Sequence, residues 1–560
     1  MTATQRSKNW WKEGIVYQIY PRSFQDSNND GIGDLNGILE RLDYIKSLGV
    51  NIIWLCPIYG SPNKDNGYDI SDYRAVMSDF GSMADFDLLL EGIHTRGMRI
   101  IMDLVANHTS DEHEWFLESK SSRDNPKRDY YIWKDPINGG VPNNWPAFFS
   151  GSTWELDPQT GQYYLHSFVK EQPDLNWENP EVRTGVHAVM KYWLDKGIDG
   201  FRMDVISIIS KRHFNDSPYE SFSETVAKVY ANGPRLHEFL HEMNVQVLSK
   251  YDVMTVGEGP GISLDNAAEF VGEDRAELNM IFHFDHMFID HGENGRFDPV
   301  TFNKKQFKDI FIAWDRALEG IGWGSIFLGN HDFARMVSRF GNDELYRDPS
   351  AKLLATLLMT MRGTPYVYQG DELGMVNNQV DRIEQFDDVE IQNTYQDWKN
   401  KRKDLDVFIS ISNEKGRDNA RTPMQWDTTP NGGFSAVKPW LASNQKYKAI
   451  NVALQEKDPN SILNYYRKLI QYRKDHLTLV YGTFEVIQED HNTLFAYWRK
   501  GDENLLIIHN LSDDETTLYL DNAVELKIEI SNYQDSPEGH LEHIVLRPWE
   551  SMIYRTAYTH

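Results

Sequence analysis

The chain has 560 residues and a formal net charge of −27 at pH 7, an acidic balance that repels the phosphate backbone of nucleic acids and the headgroups of anionic membranes. Apolar residues make up 40% and aromatic residues 13% of the chain, which suits a protein with a large buried core and excludes a disordered one. The length exceeds what one ordinary core fills and predicts two or three units, unless a barrel takes up much of it.

The N-terminal stretch MTATQRSKNWWKEG lacks the apolar segment of a secretory leader. No run of about 18 apolar residues follows that would span a bilayer. A soluble, cytoplasmic chain is expected, a monomer or weak homo-oligomer with no membrane or nucleic-acid partner.

A first strand is predicted in GIVYQIYP. After it comes FQDSNNDGIGDLNG, where Asp26, Asn28, Asp30 and Asp34 recur at the first, third, fifth and ninth places of a calcium loop, with Gly31 at the turn and the Ile32 carbonyl available. The twelfth place is Gly37 instead of a bidentate glutamate, and the segment follows a strand instead of a helix, so this is a loop site and not an EF-hand. A polar turn with no ion is the competing reading. Leu35, Ile38, Leu39, Leu42, Ile45 and Leu48 then recur at helical steps and predict one amphipathic helix.

The second strand, NIIWLCPIY, holds Cys56, the single cysteine; an intrachain disulfide is excluded, and a buried inert thiol is expected. Further strands are predicted in RIIMDLVANH, GIDGFRMDV, VMTVGEG, MIFHFDH, SIFLGNHD and TPYVYQGDE, with helical patterns between them. Eight strands alternating with helices predict an α/β protein of the (β/α)8 TIM-barrel type, whose chemistry sits at the strand C-termini. Between the third and fourth strands the segment DYYIWKDPINGGVPNNWPAFFSGSTW is too long and too rich in Pro, Gly and Trp for one helix, and predicts an inserted subdomain. Near the end, TLFAYWRK and NLLIIHNL alternate between polar turns and predict a C-terminal antiparallel β-sandwich domain. The expected division is barrel over 1–104, insert over 105–174, barrel again over 175–480 and β domain over 481–560.

Four predicted strand ends carry polar clusters: Asp103 with His108, Arg202 with Asp204, Glu258, and His331 with Asp332. Any one alone reads as a structural ion pair, but a barrel brings all four to one rim, and convergence favours a site. Several carboxylates with an arginine and two histidines suit cleavage of a glycosidic bond, where one carboxylate attacks the anomeric carbon and a protonated one assists departure. Crowded like charges drive pKa values apart, leaving one acid protonated near neutral pH.

These motifs, in this order, are similar to those of the α-amylase superfamily, glycoside hydrolase family 13, over nearly the whole chain. WWKEGIVYQIYPRSF, DNGYDISDY, DLVANHTSDEH, GRDNARTPMQW and the C-terminal β region most resemble oligo-1,6-glucosidases and related α-glucosidases. The resemblance implies Asp204 as nucleophile, Glu258 as general acid and then base, and Asp332 as the holder of sugar hydroxyls. It implies a retaining double displacement, which places the Asp204 and Glu258 carboxyls about 5 Å apart. Arg202, on the same strand face as Asp204, would keep the nucleophile ionised. His108 and His331 resemble donors to the bound sugar. Asp65, Tyr68 and Arg417 resemble residues that grip the non-reducing glucose and close the pocket, so that one glucose leaves per event; Arg421 is a rival for the role of Arg417. Phe149 and Phe168 resemble apolar pocket walls, with core packing as the alternative. The resemblance implies a structural calcium at Asp26, Asn28, Asp30, Ile32 and Asp34, bracing the loop without taking part in the reaction, and no organic cofactor.

Val205 is the residue type that accompanies α-1,6 activity in the resembled family, so small α-1,6-linked oligosaccharides such as isomaltose are the expected substrates. Two departures bear on that expectation. Gly259 stands where a bulkier residue is usual, and Phe333 and Ala334 stand where Gln and Pro are common. Both are expected beside the acceptor, where they would shift linkage choice towards α-1,4, admit sucrose or favour transfer. Sucrose isomerases carry an Arg-rich loop before the seventh strand, and IDHGENGRFDPVTF lacks it, which ranks isomerisation behind hydrolysis.

Two readings lie outside this class. HEFLH matches a zinc-peptidase pattern, with His237 and His241 as ligands and Glu238 as base, but on an outer crossover helix without a third ligand at the usual spacing. A catalytically silent barrel serving as a binding module is the other, and the intact carboxylates argue against it.

Overall fold

The computed structural model describes residues 10–556; the first nine residues, part of the stretch read above for a leader, lie outside the described residues. Among the described residues no helix is long and apolar enough to cross a membrane.

Eight parallel strands build the barrel: β1 (Val16–Ile19), β2 (Ile52–Leu55), β3 (Arg99–Val105), β4 (Gly200–Asp204), β5 (Met254–Glu258), β6 (Met280–Phe282), β7 (Ser325–Ile326) and β8 (Thr364–Tyr368). Each falls in one of the eight predicted segments. They are hydrogen-bonded in the order β6-β5-β4-β3-β2-β1-β8-β7. Across the remaining gap the Ser325 hydroxyl donates to the Ile281 carbonyl at 2.6 Å, which brings β7 against β6. The strands read as apolar runs because helices cover one face and side chains fill the other.

Local chemistry sets the helix ends. In Pro180–Lys196 the Asn179 side chain accepts from the Glu181 N–H, Pro180 presets the first turn, and Gly197 closes the helix at φ 114°. The helix predicted after the first strand is two helices, Leu35–Glu40 and Leu42–Leu48. The break falls at Arg41, whose guanidinium donates to Gln25 Oε1 at 2.6 and 2.9 Å and lies 4.2 Å from the Trp426 ring centre. Leu35, Ile38, Leu42, Ile45 and Leu48 are all buried, so one apolar stripe runs across both pieces.

Between β3 and β4, Trp133–Lys134, Trp154–Asp157 and Gln162–Leu165 form a small antiparallel sheet. The loops around it carry Phe148, Phe149 and Phe168 to the barrel mouth. At the other end of the chain six antiparallel strands, from Thr483–Ile487 to Ser551–Thr556, make one sheet. Alternation gives it two apolar faces. Phe495, Tyr497, Leu505 and Ile507 join the barrel core, while Leu494, Ala496, Leu506 and Ile508 form a second core. Lys308, in the barrel helix Lys304–Leu318, is wholly buried and donates to the carbonyls of Glu489 at 2.6 Å, His491, and Leu494 at 3.2 Å.

Candidate active site

The register of β3 on β4 sets Asp103 opposite Arg202 and Val105 opposite Asp204. Residues two apart on a strand share a face, so Arg202 and Asp204 project the same way. Arg202 is the hub. One of its nitrogens donates to Asp103 Oδ1 and to Asp204 Oδ1, each at 2.6 Å, and the other lies 2.6 Å from Glu258 Oε2. Trp54 donates to the remaining Asp103 oxygen at 2.6 Å. One guanidinium thus gathers acids from three adjacent strands.

Val205 follows β4 at φ 36°, ψ 39°, a left-handed backbone that costs a β-branched residue about 1–3 kcal/mol. That conformation aims its N–H at Glu258 Oε2, 3.0 Å away, and leaves its side chain in the cavity wall.

After β7, Asp332 is held by Arg421 at 3.0 Å, His331 Nε2 at 3.1 Å and Arg417 at 3.4 Å. The Tyr68 hydroxyl lies 2.7 Å from the same His331 nitrogen, with the two rings stacked 5.3 Å apart and parallel within 2°. The Gln18 amide nitrogen meets the other His331 ring nitrogen at 2.8 Å. Gln172 links Asp65 and His108, at 3.1 Å each. Arg417 is clamped by Asp388, with contacts at 2.6 and 3.0 Å, sits 4.5 Å from the Phe149 ring centre and 3.7 Å from Asp65. Arg421 also donates to the His331 carbonyl at 2.9 Å. Both arginines therefore fix Asp332, and Arg417 is the one of the two that lines the cavity.

That cavity is walled by Asp65, Tyr68, His108, Phe149, Phe168, Asp204, Val205, Glu258, Asp332 and Arg417. Arg202 and His331, both 1% exposed, are not wall residues but hold the acids that are. Phe149 and Phe168 are at once cavity wall and part of a buried apolar cluster.

Burial raises Glu258 well above its usual value, against the pull of Arg202 and with the help of the Asp204 and Asp332 charges. Asp204 rises less, burial again being opposed by Arg202. For Asp332 burial is outweighed by His331, Arg417, Arg421 and Arg202, which hold it well below the carboxylate range. Burial pushes His331 down to about 3 and His108 to about 4. Burial thus sets the two neighbouring acids apart, Glu258 raised further than Asp204, while the third carboxylate, Asp332, is held low.

Several members of the site escaped the sequence reading. Gln172 and Asp388 stand in loops with no strand end to flag them. Arg296 donates to the Asp332 carbonyl at 2.8 Å and lies 3.3 Å from Glu390; these partners are so far apart in the chain that no local spacing announces them. Pro260, Phe284 and Phe288 also line the cavity. Of the two departures, Phe333 lines the cavity and Ala334 is buried next to it. A Cβ on Gly259 would fall 2.3 Å from Ile262 Cδ1, so Ile262 fills the space a side chain would need.

The HEFLH residues serve other contacts on the helix Leu236–Gln246. His237 sits between Glu277 at 2.7 Å and Glu269 at 3.0 Å, His241 faces the Arg275 carbonyl at 3.3 Å, and Glu238 pairs with Arg235.

In the loop after β1, Asp26 accepts from the N–H groups of Asn28, Asn29 and Gly31, Asn28 from Asp30, and Asp30 from Ile32. Asp34 caps the next helix through the Gly37 N–H at 2.7 Å. Among the described residues no group of three or more His, Cys, Asp or Glu side chains is drawn together as a metal cluster. The donor set is all oxygen, hard-cation chemistry, and carboxylates keep lone pairs beyond those used by the loop.

A parallel barrel with a small inserted sheet, an antiparallel C-terminal sheet and acids gathered around one arginine at the strand ends defines a barrel glycoside hydrolase. The alpha amylase catalytic domain matches residues 18–482, and the alpha-amylase SusG C-terminal domain matches 494–553. The chain belongs to the α-amylase family, glycoside hydrolase family 13. It is 52% identical over 554 residues to an oligo-1,6-glucosidase of Parageobacillus thermoglucosidasius, covering 98% of this chain and 99% of the relative. It is 46% identical over 553 residues to a trehalose-6-phosphate hydrolase of Bacillus subtilis, covering 98% of each. Among solved structures, the isomaltulose synthase SmuA from Protaminobacter rubrum matches with a TM-score of 0.95 at 44% identity, over 98% of this chain and 99% of that one.

Proposed function

We propose that the enzyme is an exo-acting, retaining α-glucosidase that releases glucose from the non-reducing end of short α-glucosides, with α-1,6 linkages preferred. The observation that carries the reading is the shared hold of Arg202 on Asp204 and Glu258 inside a cavity walled by Asp65 and Arg417. Asp204 attacks the anomeric carbon while the Glu258 proton passes to the departing oxygen, and a glucosyl ester forms on Asp204. Water then gives a proton to Glu258 and attacks the same carbon, the ester bond breaks, and two inversions restore the α configuration. Asp332, fixed by two arginines, binds the sugar hydroxyls as positive charge develops on the ring.

The α-1,6 preference is supported by Val205 in the cavity wall and by the oligo-1,6-glucosidase relative. A second reading, a sucrose-active transglucosidase, is supported by the likeness to the isomaltulose synthase. The loop of Asp26, Asn28, Asp30, Ile32 and Asp34 is assigned as a structural calcium site on its donor chemistry. Isomaltose, maltose and sucrose offered separately, with the product anomer followed by NMR, test the reading. Glucose appearing first as the α-anomer, fastest from isomaltose, is expected. The β-anomer would end the retaining mechanism, and faster cleavage of maltose would end the linkage preference.

A further inference from the structure

Gln18 stands in the middle of β1, opposite Trp54 of β2 and Tyr368 of β8, and is buried. A primary amide in such surroundings costs free energy unless it is hydrogen-bonded. Its nitrogen lies 2.8 Å from His331 Nδ1 and 3.3 Å from Cys56 Sγ, so each of its two hydrogens has an acceptor. An amide nitrogen has no lone pair to offer and can only donate. His331 Nδ1 must therefore accept, and a ring nitrogen that accepts holds no proton.

The other ring nitrogen gives the same answer from different neighbours. His331 Nε2 lies 3.1 Å from Asp332 Oδ2. The second Asp332 oxygen takes Arg421 at 3.0 Å and Arg417 at 3.4 Å, and a carboxylate between two guanidiniums is ionised, with only lone pairs to present. Nε2 has to carry the proton that faces it. The Tyr68 hydroxyl, 2.7 Å from Nε2, turns its own hydrogen towards Asp103 Oδ1 at 3.4 Å and keeps its lone pairs for the imidazole. Tyr20 and Tyr68 both stack on the ring, at 5.9 and 5.3 Å, which opposes the half-turn that would exchange its nitrogens. A second proton, on Nδ1, would meet the amide hydrogens head-on, and burial opposes it as well.

We infer that Gln18 is a positioning residue of the active site: its amide fixes His331 as the neutral tautomer with the single proton on Nε2, and that N–H holds Asp332 Oδ2 while the arginines hold Oδ1. Which nitrogen of an imidazole is protonated is set by the bond the other one makes. Gln18 does not line the cavity and acts on Asp332 through His331. The tautomer stands apart from the α-glucosidase reading. Its effect on turnover rests on that reading, in which Asp332 binds the sugar hydroxyls.

The test is nitrogen NMR on the full chain with 15N-labelled imidazoles; there are 18 histidines, and His331→Asn identifies the His331 signals by difference. In the wild type at neutral pH, Nδ1 is expected to resonate as a hydrogen-bonded lone-pair nitrogen and Nε2 as a protonated one. Gln18→Met removes the donor at similar length, and Gln18→Glu puts an acceptor in its place. The Nδ1 signal is expected to move to the position of an unpaired nitrogen in the first and of a protonated one in the second. In both, kcat for isomaltose should fall by about tenfold or more with a smaller change in KM. Lost packing alone would not move the Nδ1 signal. A protonated Nδ1 in the wild type overturns the inference, and needs no variant to be seen. An Nδ1 signal unmoved in both variants, or kcat unchanged in both, overturns the positioning role. A wild type that leaves isomaltose uncleaved overturns the isomaltose reading, while the tautomer is still decided by its own spectrum.

Discussion

The Val205 N–H donates to the Glu258 carboxylate at 3.0 Å. The residue after the proposed nucleophile thereby orients the proposed acid, and the same residue puts its side chain in the cavity wall. Val205→Thr keeps the backbone bond and changes one methyl to a hydroxyl. The ratio of kcat/KM for isomaltose over maltose is expected to fall by about tenfold, equivalent to about 1.4 kcal/mol between the two transition states. An unchanged ratio would show that linkage choice lies elsewhere in the wall.

Asp204→Asn and Glu258→Gln should each lower kcat for isomaltose by about a thousandfold or more, since they remove the proposed attacking group and the proposed proton donor. Glu258→Gln should retain more activity on α-glucosyl fluoride than on isomaltose, because fluoride departs without a proton. Equal losses on both substrates would remove Glu258 from the role of acid.

The pH profile follows from the directions of the two acids. As the proposed nucleophile Asp204 has to be ionised, and burial against Arg202 raises it, so activity should be lost as pH falls through a value above the ordinary aspartate range. As the proposed acid Glu258 has to be protonated, and it is raised further, so activity should be lost as pH rises through its value. Asp103 is one of the charges that raise Asp204. Asp103→Asn should therefore move the acid limb to lower pH by on the order of one unit. A limb that stays in place would show that Asp103 acts only by holding Arg202.

Arg417 is clamped by Asp388 and touches Asp332 and Asp65. Arg417→Lys replaces a planar fork by a point charge that cannot make the paired contact. KM for isomaltose is expected to rise by about tenfold with a smaller change in kcat, the pattern of lost ground-state binding. Asp388 is held down to about 2, its burial outweighed by Arg417. The stability this gives is complete above the ordinary aspartate value and fades as pH falls through the lowered one. Acid denaturation should accordingly begin at higher pH in the variant, as followed by circular dichroism.

Chelation tests the loop after β1. Treatment with EGTA should lower the melting temperature by several degrees, with calcium and not magnesium restoring it, while kcat measured well below the melting temperature stays the same. No change in melting, with no calcium found by elemental analysis, would leave the loop held by the Asp26 and Asp34 hydrogen bonds alone.

The barrel was legible because strand and helix periods alternate along the chain and four of the predicted strands end in polar clusters. The acids were legible for the same reason: Asp204 and Glu258 are the last residues of β4 and β5. What the sequence hid lies in contacts between loops. Gln172 bridges Asp65 and His108, and Arg296 reaches Asp332 and Glu390, across separations that carry no periodic signal. The break at Arg41 was hidden as well, because an apolar stripe reads the same whether the helix beneath it is one piece or two.

The carbonyl cage around Lys308 bears on where this chain can be cut. A fragment ending with the barrel would strip three acceptors from a buried ammonium and uncover Phe495 and its neighbours' seat on the barrel in the same stroke. The C-terminal sheet is therefore no detachable appendage: proteolysis at the seam should give insoluble barrel instead of a smaller working catalyst, and thermal denaturation should run as a single event.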